Sequence, residues 1–187
     1  MPTAAGKSPL LPLLALLVAV LAATLASSAG AAKAKTVTAK TIVLLDLNYT
    51  FVENQAETAR PGGDDFARRI EFERYRHWLL DFIRGRYVIL ITARPERYRA
   101  ASLANLEALP HWRPDEAWFN TRDLPPAVCK RDILERHIFP KHGRPGKAAY
   151  VAIESNLRTA VMYASCGIPA MRVWDEWQYG NSTKVVK

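Results

Sequence analysis

The sequence is poor in the residues that hold zinc or form disulfide frameworks. It has 187 residues and only two cysteines, Cys129 and Cys166, with no cysteine or histidine spacing typical of a zinc site. It also has no internal repeats. The length is sufficient for one domain with a sizeable core and too short for two comfortable ones.

Acidic residues are in short supply as well. The chain has 26 Lys and Arg against 18 Asp and Glu, a formal net charge of +8 at pH 7. A positive excess favours anionic partners such as phosphate, nucleic acid or a lipid surface. The charges are scattered rather than blocked, so a merely basic surface is an equal alternative.

Charge is nearly absent from residues 1–32, where Lys7 is the one charged side chain. A near-continuous apolar run follows it, and small residues with an A-x-A ending at Ala31 complete the pattern of a secretory signal peptide. We expect periplasmic or secreted export after cleavage near Ala31, with residues 33–40 as a linker. The run is nearly long enough to cross a bilayer, so an uncleaved membrane anchor is one alternative. A mis-assigned start codon, which would leave a cytoplasmic protein, is another.

From residue 41 onward, apolar strands alternate with helices. The five predicted strands read TIVLLD, YVILIT, AWFN, AYVAIE and AMRVW. The predicted helices cover about 65–84, from Pro95 to about Leu109, from the Pro125-Pro126 pair to a stop at Pro140, and from Asn156 to Gly167. This alternation predicts an α/β, Rossmann-like domain over 41–174: a parallel five-stranded sheet with helices on both faces. The tail 175–187 is uninformative.

Polar residues follow the apolar part of three strands. Asp46, Thr92 and Glu154 come at the ends of the first, second and fourth runs. Parallel sheets bind ligands at the carboxyl ends of their strands. The sequence therefore predicts a binding site where these three side chains converge.

These positions resemble the four motifs of the haloacid dehalogenase superfamily. The matching segments are Asp46-Leu47-Asn48-Tyr49-Thr50, Thr92 in ILITARPE, Lys130 in VCKRDILERH, and Glu154-Ser155 in VAIESNLRTAVMYASCGIP. The second and fourth segments are most similar to the 3′-phosphatase domain of phage polynucleotide kinases. The resemblance covers nearly all of residues 40–174.

The resemblance implies a role for each matching residue. Asp46 would attack phosphorus and form an aspartyl-phosphate. Phosphate would be bound by Thr92, Lys130, Arg94 and the backbone N–H groups of Leu47 and Asn48. Mg²⁺ would be held by Asp46, the backbone carbonyl of Asn48 and Glu154. Lys141 competes with Lys130 for the lysine role, and we favour Lys130 because it lies near the strand tips.

Two positions depart from the pattern. In the superfamily, the second Asp of the first motif acts as general acid and base. This chain has Asn48 in its place, and an amide can neither donate a proton to the leaving group nor take one from water. The fourth motif of the superfamily usually has two Asp residues. Here Glu154-Ser155 stands in their place, so the motif carries one fewer negative charge. The first departure removes a contribution of about 10²–10⁴ in rate.

Little room exists for a large cap domain, so we expect an open site. The sequence therefore predicts a slow, Mg²⁺-dependent phosphomonoesterase acting on a phosphorylated small molecule or a nucleic-acid end. One alternative is a catalytically weakened phosphate- or nucleotide-binding protein, and another is a nucleic-acid 3′-end phosphatase. A membrane partner is expected only if the N-terminal segment is not cleaved. The oligomeric state is left open.

Overall fold

We describe the protein from a computed structural model, which covers residues 40–53 and 66–173, the side chains of 66–68 excepted. The predicted signal peptide, all but the last residue of the linker, and the C-terminal tail lie outside these ranges. In the described part of the chain, no helix is both long and apolar enough to cross a membrane.

Five strands form one parallel sheet in the order β3-β2-β1-β4-β5. They are β1 (Ile42–Leu45), β2 (Val88–Pro95), β3 (Glu116–Asn120), β4 (Tyr150–Glu154) and β5 (Ala170–Arg172). The predicted parallel five-stranded sheet is confirmed. The central pair β1 and β4 runs in register from Ile42 beside Tyr150 to Leu45 beside Ile153.

Six α-helices connect these strands within the described residues. They are α1 (Phe66–Glu71), α2 (His77–Ile83), α3 (Arg99–Glu107), α4 (Pro126–Ile133), α5 (Phe139–His142) and α6 (Leu157–Ser165). A π-helical turn over Leu134–Ile138 joins α4 to α5. Gly85 and Gly167 follow the ends of α2 and α6 with φ of 73° and 76°, the left-handed region that glycine enters without steric penalty.

Both faces of the sheet are covered, because neighbouring strand residues point to opposite sides. Val43 and Leu45 pack into a core with residues of α2 and α3. Leu44 between them packs into a second core with residues of α4 and α6. Cys129 and Cys166 both lie on this second side and are free thiols.

The predicted single helix over about 65–84 is wrong. Two helices lie there, and the chain between them is extended and bonded to the segment after β1. Glu53 N–H donates to Arg74 O and Arg76 N–H donates to Phe51 O, both at 2.9 Å. These bonds replace the i to i−4 bonds of a continuous helix. Phe72, which recurs with Tyr75 and Leu79 at helical spacing in the sequence, is consequently 61% exposed.

The predicted stop at Pro140 is also wrong. Pro140 is the second residue of α5, where the missing N–H of a proline would have no helical partner. The intervening π-helical turn resets the hydrogen bonding, so the helical segment continues to His142.

Candidate active site at the carboxyl edge of the sheet

Three neighbouring strands place the predicted polar residues at one edge of the sheet. Asp46 directly follows β1, Thr92 lies in β2 just before its pairing with β3 becomes irregular, and Glu154 is the last residue of β4. Because β1 lies between β2 and β4, Asp46 sits between the other two. All three side chains are buried.

Lys130 joins two of these groups. Its Nζ donates to Asp46 Oδ1 at 2.5 Å and to Glu154 Oε2 at 2.6 Å. It reaches them from the fifth residue of α4, in the second turn of that helix. The alternative, Lys141, is 58% exposed and pairs with Glu116 at 3.0 Å. Lys130 is therefore the lysine of this edge.

The other oxygens of the two carboxylates accept hydrogen bonds from nearby turns. Thr50 Oγ1 donates to Asp46 Oδ2 at 2.6 Å and accepts from the backbone N–H of Ser155 at 2.9 Å. The backbone N–H of Asn156 donates to Glu154 Oε1 at 2.9 Å. Thr50 thus ties the turn after β1 to the turn after β4 and fixes the Asp46 carboxylate.

Charge at this centre is unbalanced. Two buried carboxylates share one ammonium group, which leaves one excess negative charge when all three are ionised. Burial raises the pKa of Glu154 to about 7, and Asp46 adds to the rise while Lys130 opposes it. Burial alone would lower the pKa of Lys130, but the two carboxylates outweigh it and hold that pKa above its ordinary value. The centre favours a further cation or a proton.

The donor set of this centre fits Mg²⁺. Asp46 and Glu154 both lie within hydrogen-bond distance of the Lys130 ammonium, so their carboxylates are close together. The resemblance implies the backbone carbonyl of Asn48 as a third ligand. Mg²⁺ prefers oxygen ligands and keeps several waters, so two carboxylates and one carbonyl suffice. The described residues contain no cluster of three or more His, Cys, Asp or Glu side chains suited to a metal. A site of this kind therefore depends on both carboxylates, and their metal role stays a prediction.

Thr92 is fully buried in β2, three residues before the last residue of that strand. Its Oγ1 accepts a hydrogen bond from the backbone N–H of Arg94 at 3.1 Å. Within the described ranges, no residue accepts a hydrogen bond from the Thr92 hydroxyl. That hydroxyl proton is therefore not committed to a described residue, and the phosphate contact of Thr92 stays a prediction.

Arg94 is buried like Lys130, but its N–H donors are directed at other side chains. Among the described residues, its guanidinium makes five hydrogen bonds to three side chains. Asn48 Oδ1 accepts from Nε at 3.2 Å and from Nη2 at 2.7 Å. The Glu73 carboxylate accepts from Nη2 at 2.5 Å and from Nη1 at 3.4 Å. Ser102 Oγ accepts from Nη1 at 2.7 Å. The predicted phosphate contact of Arg94 would require one of these bonds to break.

Glu73 was not predicted from the sequence as part of the site. Its carboxylate is fully buried and accepts a bond from Tyr75 Oη at 3.5 Å as well as those from Arg94. Burial raises the pKa of Glu73, and Arg94 opposes the rise. Glu73 lies in the segment predicted to be helix, 21 residues from Arg94, so no motif signals it. The role of Thr50 was also missed, although its position in the first motif could have indicated it.

No protein-family model and no curated protein matches the chain. Among solved structures, two entitled "Structure of Pnkp1/Rnl/Hen1 complex" and "Structure of the Pnkp1/Rnl/Hen1 RNA repair complex" contain similar chains. Each has a TM-score of 0.54, with 14% and 17% identity over 79% of this chain and 50% and 47% of those chains. This chain thus spans about half the length of those it matches.

A haloacid dehalogenase-like family hydrolase, SP0104 from Streptococcus pneumoniae, is also similar. Its TM-score is 0.48, with 12% identity over 73% of this chain and 85% of that chain. Similarities at these identities concern the fold alone. At that level, the fold implied by the four motifs is shared with the two Pnkp1/Rnl/Hen1 chains, whose TM-scores exceed 0.5.

Proposed function

We propose that the protein is a phosphomonoesterase that forms an aspartyl-phosphate on Asp46 and acts with Mg²⁺. The observation that carries the proposal is that the carboxylates of Asp46 and Glu154 both accept a hydrogen bond from the Lys130 ammonium. The three groups meet at the edge where parallel sheets bind ligands. A carboxylate fixed by two hydrogen bonds is placed for attack, and a cationic group beside it stabilises negative charge on the phosphoryl group.

The reaction proceeds in two displacements at phosphorus. An Asp46 oxygen forms a bond to phosphorus while the ester oxygen leaves with the electron pair of its bond. Water then attacks the same phosphorus, the Asp46 oxygen leaves, and inorganic phosphate is released. Thr92 and Lys130 donate hydrogen bonds to phosphoryl oxygens in both steps. Mg²⁺, held by Asp46, Glu154 and the Asn48 carbonyl, would supply Lewis-acid stabilisation of the phosphoryl charge.

Asn48 limits the range of substrates. Its amide cannot protonate a departing alkoxide or take a proton from the attacking water, a contribution of about 10²–10⁴ in rate where it is present. Aryl and acyl phosphates, whose leaving groups depart as stable anions, are the substrates this site handles best. Alkyl phosphates are expected to react slowly.

Nucleic-acid ends are a second substrate class within the same chemistry. The formal charge of +8 favours a polyanion, and similar chains occur in structures described as an RNA repair complex. If the N-terminal segment exports the protein, as the sequence predicts, this class is less accessible to it. A phosphate-binding protein without turnover is the alternative that Asn48 and Ser155 support.

The test is release of phosphate by the full chain from four probes: an aryl phosphate, an acyl phosphate, an alkyl phosphate and a 3′-phosphorylated oligonucleotide. We expect Mg²⁺-dependent turnover of the first two, abolished in Asp46→Asn. Asp81→Asn is the matched control, because Asp81 is 73% exposed on α2. Tight binding of phosphate, with no phosphate released from any probe, would overturn the proposed enzymatic activity and support a phosphate-binding protein. Preference for the oligonucleotide would identify the nucleic-acid end.

A further inference from the structure

The five N–H groups of Arg94 are all used within the protein. A guanidinium has five N–H donors and no acceptor, and Arg94 makes five donations, to Asn48, Glu73 and Ser102. Its side chain is fully buried. An arginine that contacts a ligand presents at least part of its donor fork to the site. Arg94 instead presents that fork to the side chain of Asn48.

These bonds fix which way the Asn48 amide faces. Because a guanidinium can only donate, the atom of Asn48 that faces Arg94 must be Oδ1 and cannot be Nδ2. Two donations to Oδ1 occupy both of its lone pairs. Nδ2 is then the only polar side-chain atom of Asn48 left for a ligand, and no residue in the described ranges accepts a hydrogen bond from it. Asn48 as a whole is half-buried and not fully enclosed.

Arg94 is itself held from two other segments. Glu73 belongs to the extended chain that is bonded to residues 51–53, and its carboxylate neutralises the guanidinium. Ser102 lies on α3, and its hydroxyl donates to Tyr98 O at 2.7 Å while it accepts from Arg94. The Asn48 amide is thus set before any ligand arrives, which reduces the reorganisation needed on binding.

We propose that Glu73 and Arg94 are positioning residues that hold Asn48 with its Nδ2 as a hydrogen-bond donor to an oxygen of the bound phosphoryl group. The proposal rests on the proposed function for the identity of the ligand. In this role Asn48 recognises the anion, and its Nδ2 selects ligands that present an unprotonated oxygen to it. An Asp at position 48 would turn a carboxylate oxygen towards that anion and pair its other oxygen with Arg94.

Calorimetric titration of inorganic phosphate into the full chain with Mg²⁺ tests the assignment of Asn48. Loss of one hydrogen bond to a charged group predicts about tenfold weaker binding in Asn48→Ala. Asn48→Asp should bind more weakly still, because it adds repulsion. Affinity in Asn48→Asp equal to or above the parent value would overturn the proposal.

A double-mutant cycle tests whether Arg94 acts through Asn48. Arg94→Lys keeps the charge beside Glu73 but loses the two-pronged contact with Oδ1, so phosphate affinity should fall by several-fold to tenfold. In the Asn48→Ala background the same change should have no further effect. An equal loss in both backgrounds would mean that Arg94 contacts phosphate directly and would overturn the proposal. If Arg94→Lys does not fold, as judged by circular dichroism, Glu73→Gln takes its place in the cycle.

One measurement needs no ligand. The side-chain amide protons of Asn48 give a pair of nuclear magnetic resonance signals, identified by their loss in Asn48→Asp. Both signals should shift or broaden in Glu73→Gln, and unchanged signals would overturn the positioning role. If inorganic phosphate does not bind the parent protein at all, the proposed function fails, while these signals still decide whether Glu73 and Arg94 hold Asn48.

Discussion

Two buried cations lie under the carboxyl edge of the sheet, and they differ in how their charge is balanced. Among the described residues, Arg94 pairs with one carboxylate, Glu73, and gives all five of its donors to side chains. Lys130 lies between two carboxylates, Asp46 and Glu154, so its surroundings keep an excess negative charge. Both cations are almost completely inaccessible to solvent.

The difference separates support from chemistry. A balanced, fully hydrogen-bonded pair gains little from a further ion, and it serves to fix its neighbours. An unbalanced group gains from a cation or a proton, and it lies where β1 and β4 end. We therefore assign reactivity to the Lys130 centre and positioning to the Arg94 centre.

The largest effect is expected when Lys130 loses its charge. Lys130→Met leaves two buried carboxylates without a partner, which should lower the free energy of unfolding by about 3–5 kcal/mol. The loss should be greater at pH 8 than at pH 5, because the pKa of Glu154 is raised to about 7 and the acid form relieves the repulsion. Urea denaturation at both pH values measures this. The exposed Lys141→Met should lose only about 0–1 kcal/mol, and equal losses in the two variants would refute the comparison.

Breaking the balanced centre should lower stability without affecting the metal. Glu73→Gln leaves the Arg94 charge buried without its partner, and we expect a loss of about 3 kcal/mol in the free energy of unfolding. Mg²⁺ binding should be retained, because Glu73 contacts neither Asp46 nor Glu154. Its partner Arg94 bonds to the side chain of Asn48, whereas the metal would be held by the backbone carbonyl of that residue. Denaturation and calorimetric Mg²⁺ titration of the same variant check both parts. Loss of Mg²⁺ binding would show that the two centres are not separate.

Converting the unbalanced centre to a balanced one should stabilise the metal-free protein. The folded-state pKa of Glu154 is raised from 4.5 to about 7, so this group contributes stability in acid that is lost as pH rises through that window. Glu154→Gln removes this pH dependence of stability. It should raise the free energy of unfolding by about 1 kcal/mol at pH 8, where Glu154 is charged, and give no gain at pH 4, where Glu154 is protonated. Mg²⁺ binding should be lost. Destabilisation at pH 8 would contradict the excess charge that we assign to this centre.

The smallest effect concerns hydrogen-bond satisfaction. The Tyr163 hydroxyl on α6 is fully buried, and no described residue bonds to it, in contrast to the saturated Arg94. Tyr163→Phe should therefore change the free energy of unfolding by no more than about 0.5–1 kcal/mol. Thermal and urea denaturation measure it. A loss above about 2 kcal/mol would reveal a hydrogen-bond partner for this hydroxyl.

The sheet and the Lys130 centre could be predicted because their signals are local. Each apolar run ends at or beside its polar residue, so the order of strands brings Asp46, Thr92 and Glu154 to one edge. Lys130 was identified by its match to the third motif of the haloacid dehalogenase superfamily, and its place on a helix that begins near the same edge favoured it over Lys141. Strand periodicity and the right-handed crossover rule are sufficient for the sheet and its three strand-end residues, whereas Lys130 needed the motif.

The Arg94 centre could not be predicted, because its partners are distant in sequence and lie in irregular chain. Glu73 was placed in a helix since Phe72, Tyr75 and Leu79 recur at helical spacing, whereas backbone bonds to residues 51–53 hold that segment extended. Tertiary hydrogen bonds overrode the local pattern. The Arg94 side chain was expected to face the substrate, and only its three partners show that it faces inward.

The central claim is that Asp46, beside Lys130, is the nucleophile. The most direct test is peptide mass spectrometry of the full chain after incubation with acetyl phosphate and Mg²⁺ and a rapid acid quench. We expect one phosphoryl group on Asp46, since Asn48 provides no base for the water that would remove it, and none in Asp46→Asn. Turnover of acetyl phosphate with no label on Asp46, or with the label on another residue, would contradict the account.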